Sequence, residues 1–520
     1  MRLSARTVAA LGAIGLLLGN VGRIPTGALG GRTTPLVAAD LVVALVWGVL
    51  LLALASGSVR VVLDDVMSSA LAFLGVAMVS TSLAFARYDL GVADGTGVAA
   101  FLIRWIAYFG WYPFVVWCLT PGESRDAWRY VERALLIFAL VGIVQSAFLP
   151  GFAQIIHDGG DLPTWDVQGR RLVSTMLDPN FAGILIVIAL VFRLARVAEG
   201  LTESTMAMIA LGAALLLTVS RSSLLALAVG LLVLVIARGF KVRLFRVLVI
   251  GAVLVVPFLS ILISFAGSFN KLQYDASAAQ RLIPWVRAGR LLQEHPWFGV
   301  GFNAIRQAQE SHGWRAVGGA DVSFDGGLIF VAAMTGLIGL FFYARMLVRV
   351  ALGARRVWRD NSLPPLDRAH ATATAAATAA VVIHSLFVNS LLLPFVMQIL
   401  WMMWGRLTHV RAARRARLGL AVAVPMALLA GCDPCAGTVN CSASPRATLV
   451  GTIVNHLTGA PVAGARVDLR LTSAGGSVAE ASTTTDRQGL WQASAAATEA
   501  GAVNAQVTVT SPELPSYTVA

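Results

Sequence analysis

The sequence predicts a polytopic α-helical membrane protein of about 12 transmembrane helices, followed by a small all-β sandwich. Three observations predict it. Of the 520 residues, 57% are hydrophobic and 13% charged, and the mean hydropathy is +0.75, a balance that suits a chain solvated by lipid rather than a large soluble core. Apolar runs able to cross ~30 Å of hydrocarbon as helices recur over the first 410 positions. Beyond Cys432 the composition turns to Thr, Ser, Ala, Val and Gly, with no run of spanning length.

The spans fall near 7–22, 36–55, 66–86, 98–119, 134–149, 174–193, 205–219, 222–237, 247–266, 324–344, 370–388 and 391–406. The pairs divided at Arg221 and at Asn389 are separated by only a few polar residues. Short cytoplasmic loops are enriched in Lys and Arg. With the N-terminus inside, Arg238/Lys241/Arg243/Arg246, Arg345 to Arg368 and Arg406 to Arg417 all fall in the cytoplasm. The loops 151–173 and 267–323 then face outward, and residues 1–410 form one membrane domain. The net charge of +13 expresses this topology and contact with anionic lipid, and does not imply nucleic acid. Lysine stands only at 241 and 271 among forty basic residues, a GC-rich bacterial coding bias.

A second unit follows. Residues 411–445 hold Arg411 to Arg417, the apolar Leu418 to Leu428 and then Leu429-Ala-Gly-Cys432, the parts of a bacterial secretory signal. This segment resembles a lipoprotein signal, with Cys432 as the acylated residue. A short thirteenth helix and a start at Met402 or Met403 of a joined reading frame are the alternatives. Over 446–520, alternating pieces such as Ala447 to Val454, Ala465 to Leu471 and Val503 to Thr510 lie between Gly and Pro turns and read as short strands. Gly451-Thr-Ile-Val, Thr458 to Ala465 and Thr485-Asp-Arg-Gln-Gly-Leu-Trp491 resemble the carboxypeptidase regulatory-like family, a transthyretin-like sandwich that implies adhesion or carbohydrate proximity without catalysis. Cys118 lies in the fourth span as a small apolar filler, and Cys435 with Cys441 has the spacing for a disulfide on the oxidising side. Neither Cys nor His spacing matches a zinc site.

The 267–323 loop carries most of the functional signal. It contains Arg281 and His295-Pro-Trp-Phe-Gly-Val-Gly301, and leads into Asp325-Gly-Gly and Gly336-Leu-Ile-Gly339. Arginines outside the bilayer in so apolar a chain point to a charged ligand there, and so to the mouth of an active site. Thr218-Val-Ser-Arg221-Ser-Ser, Gln280-Arg-Leu-Ile-Pro-Trp285 and Leu177-Asp-Pro-Asn-Phe181 complete a set, over roughly 130–405, that resembles the O-antigen ligase and polymerase superfamily. The resemblance implies a GT-C-like glycosyltransferase of the bacterial inner membrane. It would act at the outer face on a polyprenyl-diphosphate-linked glycan and an acceptor glycan, alongside other polysaccharide assembly proteins. Ligases of that superfamily carry a His eleven residues before the Gly-x-x-Gly. Counting back from Gly336 lands on Asp325, which leans the reading to the polymerase branch, with a ligase as the alternative.

The chemistry suits those residues. Negative charge developing on a leaving diphosphate needs stabilisation, and guanidinium groups bind phosphate oxygens bidentately. Arg221 and Arg281 are therefore assigned as a metal-independent clamp with no cofactor, and Asp325 as the base that accepts the acceptor proton. Arg104, Arg170, Asn180, Trp285, His312 and His384 are assigned to substrate binding, Arg104 because an arginine at depth in a span marks a functional site. The bland readings are a snorkelling Arg221, a solvated Arg281, and Asp325 as a helix cap. A transporter of the same lipid-linked sugars is the competing class, but such proteins spread charge along a midplane path. A mere membrane anchor for the sandwich needs far fewer spans.

Overall fold

The computed structural model describes residues 5–24, 28–29, 32–33, 36–59, 61–157, 171–238, 276–314, 326–430, 446–453, 462–473, 478–496, 503–511 and 514–519. The chain forms two compact units, Met1–Thr408 and His409–Ala520. The first unit is a helical bundle. Its principal helices are α1 (Ala5–Leu18), α2 (Ala38–Ala55), α3 (Asp65–Tyr88), α4 (Val92–Phe109), α5 (Pro121–Phe148), α6 (Pro179–Ala198), α7 (Thr205–Leu217), α8 (Arg221–Arg238), α9 (Ala276–Glu294), α10 (Ile305–Ser311), α11 (Gly327–Trp358), α12 (Pro365–His384) and the part of α13 (Pro394–Ala430) up to Thr408.

Helix starts follow from local chemistry. Thr120 and Glu123 close a capping box on α5, with Pro121 in the first turn, where its missing N–H is no loss. Asp178 accepts from the Asn180 and Phe181 N–H groups at the head of α6, 2.7 and 3.0 Å, which satisfies two of the donors a helix leaves unpaired.

Among the described residues, eight helices are long and apolar enough to cross a membrane, against the twelve spans that the sequence predicts. The protein is a multi-pass membrane protein. Of the remaining four, the 205–219 run is the shorter helix α7 and 247–266 lies outside the described residues. The 370–388 and 391–406 runs correspond to α12 and α13, whose polar content lowers their hydropathy. Their environment explains that composition. Thr372, Ala373, Thr374, Ala376 and Ala377 of α12 are buried, and the helix packs on α6, α8 and α11. Small residues let helix backbones approach closely inside a membrane bundle. The threonine hydroxyls return to the carbonyls four residues earlier, Thr374 to His370 at 2.8 Å and Thr378 to Thr374 at 2.7 Å, so no hydroxyl faces hydrocarbon unpaired.

In the second unit, the antiparallel sheet has Arg466–Ser473 between Val478–Thr484 and Val503–Ser511, with Leu514–Val519 beyond the latter. Arg446–Thr452 pairs antiparallel with Leu490–Ala496. Period-two alternation turns Val467, Leu469 and Val507 inward, where they share a core with Ile453, Trp491 and Ala493 from the strand pair. The 411–417 and 418–428 segments continue α13 as helix to Ala430. Cys432, Cys435 and Cys441 lie outside the described residues.

Candidate functional site

Two constructions sit at the end of the bundle where α6, α8 and α11 begin and α12 ends. The first is a buried polar cluster. Ser220, just before α8, and Ser222 and Ser223, in its first turn, face α6 and α12. Ser220 Oγ donates to Asn180 Oδ1 at 2.9 Å, and Ser223 Oγ donates to Ser220 Oγ at 2.9 Å. His384, the last residue of α12 and fully buried, places Nε2 3.2 Å from both Ser222 Oγ and Ser223 Oγ, and Nδ1 2.6 Å from Ser390 Oγ. Ser390 Oγ donates to Val388 O. A hydroxyl has one proton, so the tautomer of the ring sets whether these serines donate to it or accept from it. Arg221 begins α8 between these serines, with its side chain exposed. Arg171 ties the preceding loop to the turn before α8, donating to Thr218 O at 2.8 Å and Val219 O at 3.3 Å.

The head of α11 closes on this cluster. The Gly327 N–H donates to Ser385 O at 2.5 Å. Gly326 has φ 115°, and a Cβ there would stand 3.0 Å from Trp285 Nε1. That close approach under the indole is open only to glycine. Trp285 of α9, Gly326 and the end of α12 therefore meet.

The second construction joins the two glycine-rich strings. Inside α11, Gly336 leaves helical geometry at φ 67° and ψ −171°. This break frees backbone groups that a straight helix would pair, and the 296–301 run pairs them instead. Leu337 N–H donates to Pro296 O at 2.7 Å and Ile338 N–H to Trp297 O at 3.3 Å, while the Val300 and Gly301 N–H groups donate to Ala333 O and Met334 O at 3.0 Å each. Ser80 Oγ of α3 lies 2.6 Å from both Phe298 O and Met334 O, and Arg87 donates to Gly299 O at 3.1 Å. Irregular backbone is tolerated within a membrane protein when protein buries and pairs it.

The sequence-predicted residues divide accordingly. Asn180 and His384 are brought together through serines, with Arg221 beside them, and Trp285 covers the helix start that follows Asp325. Asp325 and Arg170 themselves lie outside the described residues, as does the side chain of Arg281, whose backbone is in α9. Arg104 donates to Asp40 Oδ2 at 2.6 Å, an ion pair that makes a guanidinium in a span tolerable. His312 lies 2.7 Å from Glu294 and meets Trp314 at a tilt of 36°, ring centroids 4.6 Å apart. Slight burial raises the Glu294 carboxyl, but the hydrogen bond and charge of His312 with those of Arg290 outweigh it and hold the group below its usual range. Ser222, Ser223 and Ser390 were missed, and only their positions flanking Arg221 and Asn389 signal them. Among the described residues, no group of three or more His, Cys, Asp or Glu is placed to hold a metal ion.

A family model described as O-antigen ligase matches residues 206–344, a stretch that contains Ser220 to Ser223, Trp285, the 296–301 run and Gly336. The chain thus carries an O-antigen ligase family domain, of a family that transfers lipid-linked glycan, within a multi-pass membrane protein. No curated protein matches the chain.

Proposed function

Starting from that family domain, we propose that the protein is a glycosyltransferase of the bacterial inner membrane that polymerises polyprenyl-diphosphate-linked oligosaccharide at the outer face. The observation that supports this best is the convergence of Asn180, the Ser220 to Ser223 turn, His384 and Trp285 at one end of the bundle. Arg221 opens this turn, and Arg281 lies one helical turn before Trp285 on α9. In the proposed step the acceptor hydroxyl oxygen attacks the anomeric carbon, and the anomeric C–O bond to the diphosphate breaks. The electron pair leaves with the lipid diphosphate, whose charge Arg221 and Arg281 stabilise without a metal. Asp325, immediately before Gly326, takes the hydroxyl proton. Arg238 and the arginine-rich 345–368 segment, at the other ends of these helices, support this orientation. The same chemistry with a lipid or protein acceptor is a ligase, and the C-terminal unit is proposed to lie outside the cytoplasm.

One observation favours a second base. His384 Nε2 lies 3.2 Å from Ser222 Oγ, next to Arg221, and in the tautomer with its proton on Nδ1 it can take a proton through that hydroxyl. The test is the length distribution of lipid-linked glycan made with EDTA present by wild type, Asp325→Asn, Asp325→Ala and His384→Gln. Single repeat units in both Asp325 variants, with polymer from His384→Gln, support Asp325. The reverse pattern moves the role to His384, and full-length polymer from all three sinks both. A divalent-ion requirement in wild type refutes the metal-free clamp.

A further inference from the structure

We propose that the opposite end of the bundle holds an anion site, built for the phosphate of an anionic lipid headgroup or a free phosphate. A cleft of about 420 Å³ opens there between α5, α6, α12 and α13. Its cationic lining is Arg125, Arg129 and Arg133 of α5, Arg193 and Arg196 of α6, and Arg406 of α13. Two carboxylates, Glu132 and Glu203, also line it, and both are engaged. Arg196 binds Glu132 at 2.6 Å and also pairs with Glu203, which Arg193 binds at 2.8 Å.

The remaining cations are in excess. Arg125, Arg129 and Arg133 are spaced four apart, which sets three like charges on one helix stripe, an arrangement that is unfavourable without a counterion. Arg129 has the exposed pair Asp126 at 3.3 Å. Among the described residues, Arg125 and Arg133 make no ion pair. Arg406 is 4% exposed, and its one carboxylate partner among the described residues is Asp367, 3.2 Å from Nη2. Its Nε–H is buried and has no partner among the described residues. A buried charged donor left unmade is strongly unfavourable, and an anion entering the cleft supplies the acceptor. Phosphate matches the set, since its oxygens take guanidinium forks bidentately. The cleft lies at the arginine-rich ends of the helices, the side that faces the anionic inner leaflet.

The test uses the full chain, delipidated in neutral detergent and titrated with phosphatidylglycerol, phosphatidylcholine and inorganic phosphate. Binding is read by native mass spectrometry and by melting temperature. The variants are Arg125→Gln/Arg129→Gln/Arg133→Gln and, as an equal loss of exposed charge elsewhere, Arg355→Gln/Arg356→Gln/Arg359→Gln. The first triple is expected to weaken phosphatidylglycerol binding about tenfold or more, and the second to leave it unchanged. If inorganic phosphate instead raises the melting temperature of wild type but not of the first triple, with no preference for phosphatidylglycerol, the occupant is free phosphate. Equal losses in both triples mean general surface attraction and overturn the site. A wild type indifferent to both phosphatidylglycerol and phosphate overturns it too.

Discussion

Gly336→Ala tests whether the Gly-x-x-Gly string is a docking device for the outer loop. At φ 67° and ψ −171° the backbone is in a region essentially reserved for glycine, where another residue costs about 1–3 kcal/mol in strain. The added Cβ would also overlap Trp297 O and Trp297 C. These are backbone atoms, so no rotamer change relieves the contact. Moving the loop away breaks the Leu337–Pro296 and Ile338–Trp297 bonds, and each buried group left unpaired costs about 1–3 kcal/mol. Counting one unpaired group per bond, one lost bond plus strain gives about 2–6 kcal/mol, and two give about 3–9. Gly339 has a conflict of its own, because its Cβ would overlap Thr335 Oγ1 and Thr335 Cβ. Turning Thr335 moves its hydroxyl and gives up one helix back-bond, but its Cβ is fixed by the backbone, so Gly339→Ala should also destabilise, by about 1–3 kcal/mol. Ser80→Ala, which removes the hydroxyl that meets both Phe298 O and Met334 O, should cost about 1–3 kcal/mol. Melting in detergent, followed by recovery of monodisperse protein, should rank Gly336→Ala below Ser80→Ala. A Gly336→Ala protein that melts with wild type would refute the docking.

Arg221→Ala and Arg281→Ala are each expected to lower glycan transfer roughly 10²-fold or more at unchanged protein level. Lysine at either position should restore only part, because an ammonium keeps charge without the bidentate fork, and full activity in the alanine variants would remove that residue from the site. An alkaline phosphatase reporter fused after Pro445 is expected to be active, as a C-terminal unit outside the cytoplasm requires. An inactive fusion, with a cytoplasmic reporter active at the same junction, would reverse that topology.

What the sequence disclosed and what it hid differ by the range of the interaction. Asp178-Pro-Asn180 is legible because a cap is local: the carboxylate meets the N–H groups two and three residues on. That Asn180, Arg221 and His384 lie at one end of the bundle is also legible, since hydrophobic length fixes where each helix starts and stops. The bonds that join them are not. Ser222 and Ser223 reach His384 from another helix, and serine beside an arginine reads equally well as a turn. Arg104 shows the same limit, because depth in a span marks it as unusual without naming Asp40 as its partner. The two glycine strings are the most telling case. Each looks like an isolated motif, and residue type says nothing of the backbone bonds between Pro296 to Gly301 and Ala333 to Ile338. Yet a glycine inside a long apolar run is unfavourable unless the backbone must bend there or another chain must come close. Gly336 meets both conditions and Gly299 and Gly301 supply the approaching chain, each at positive φ. The docked run leads directly from α9, which carries Trp285 over the start of α11. A loop bonded through its backbone to α11 at one end, with Trp285 set close to Gly326 at the other, holds α9 against α11.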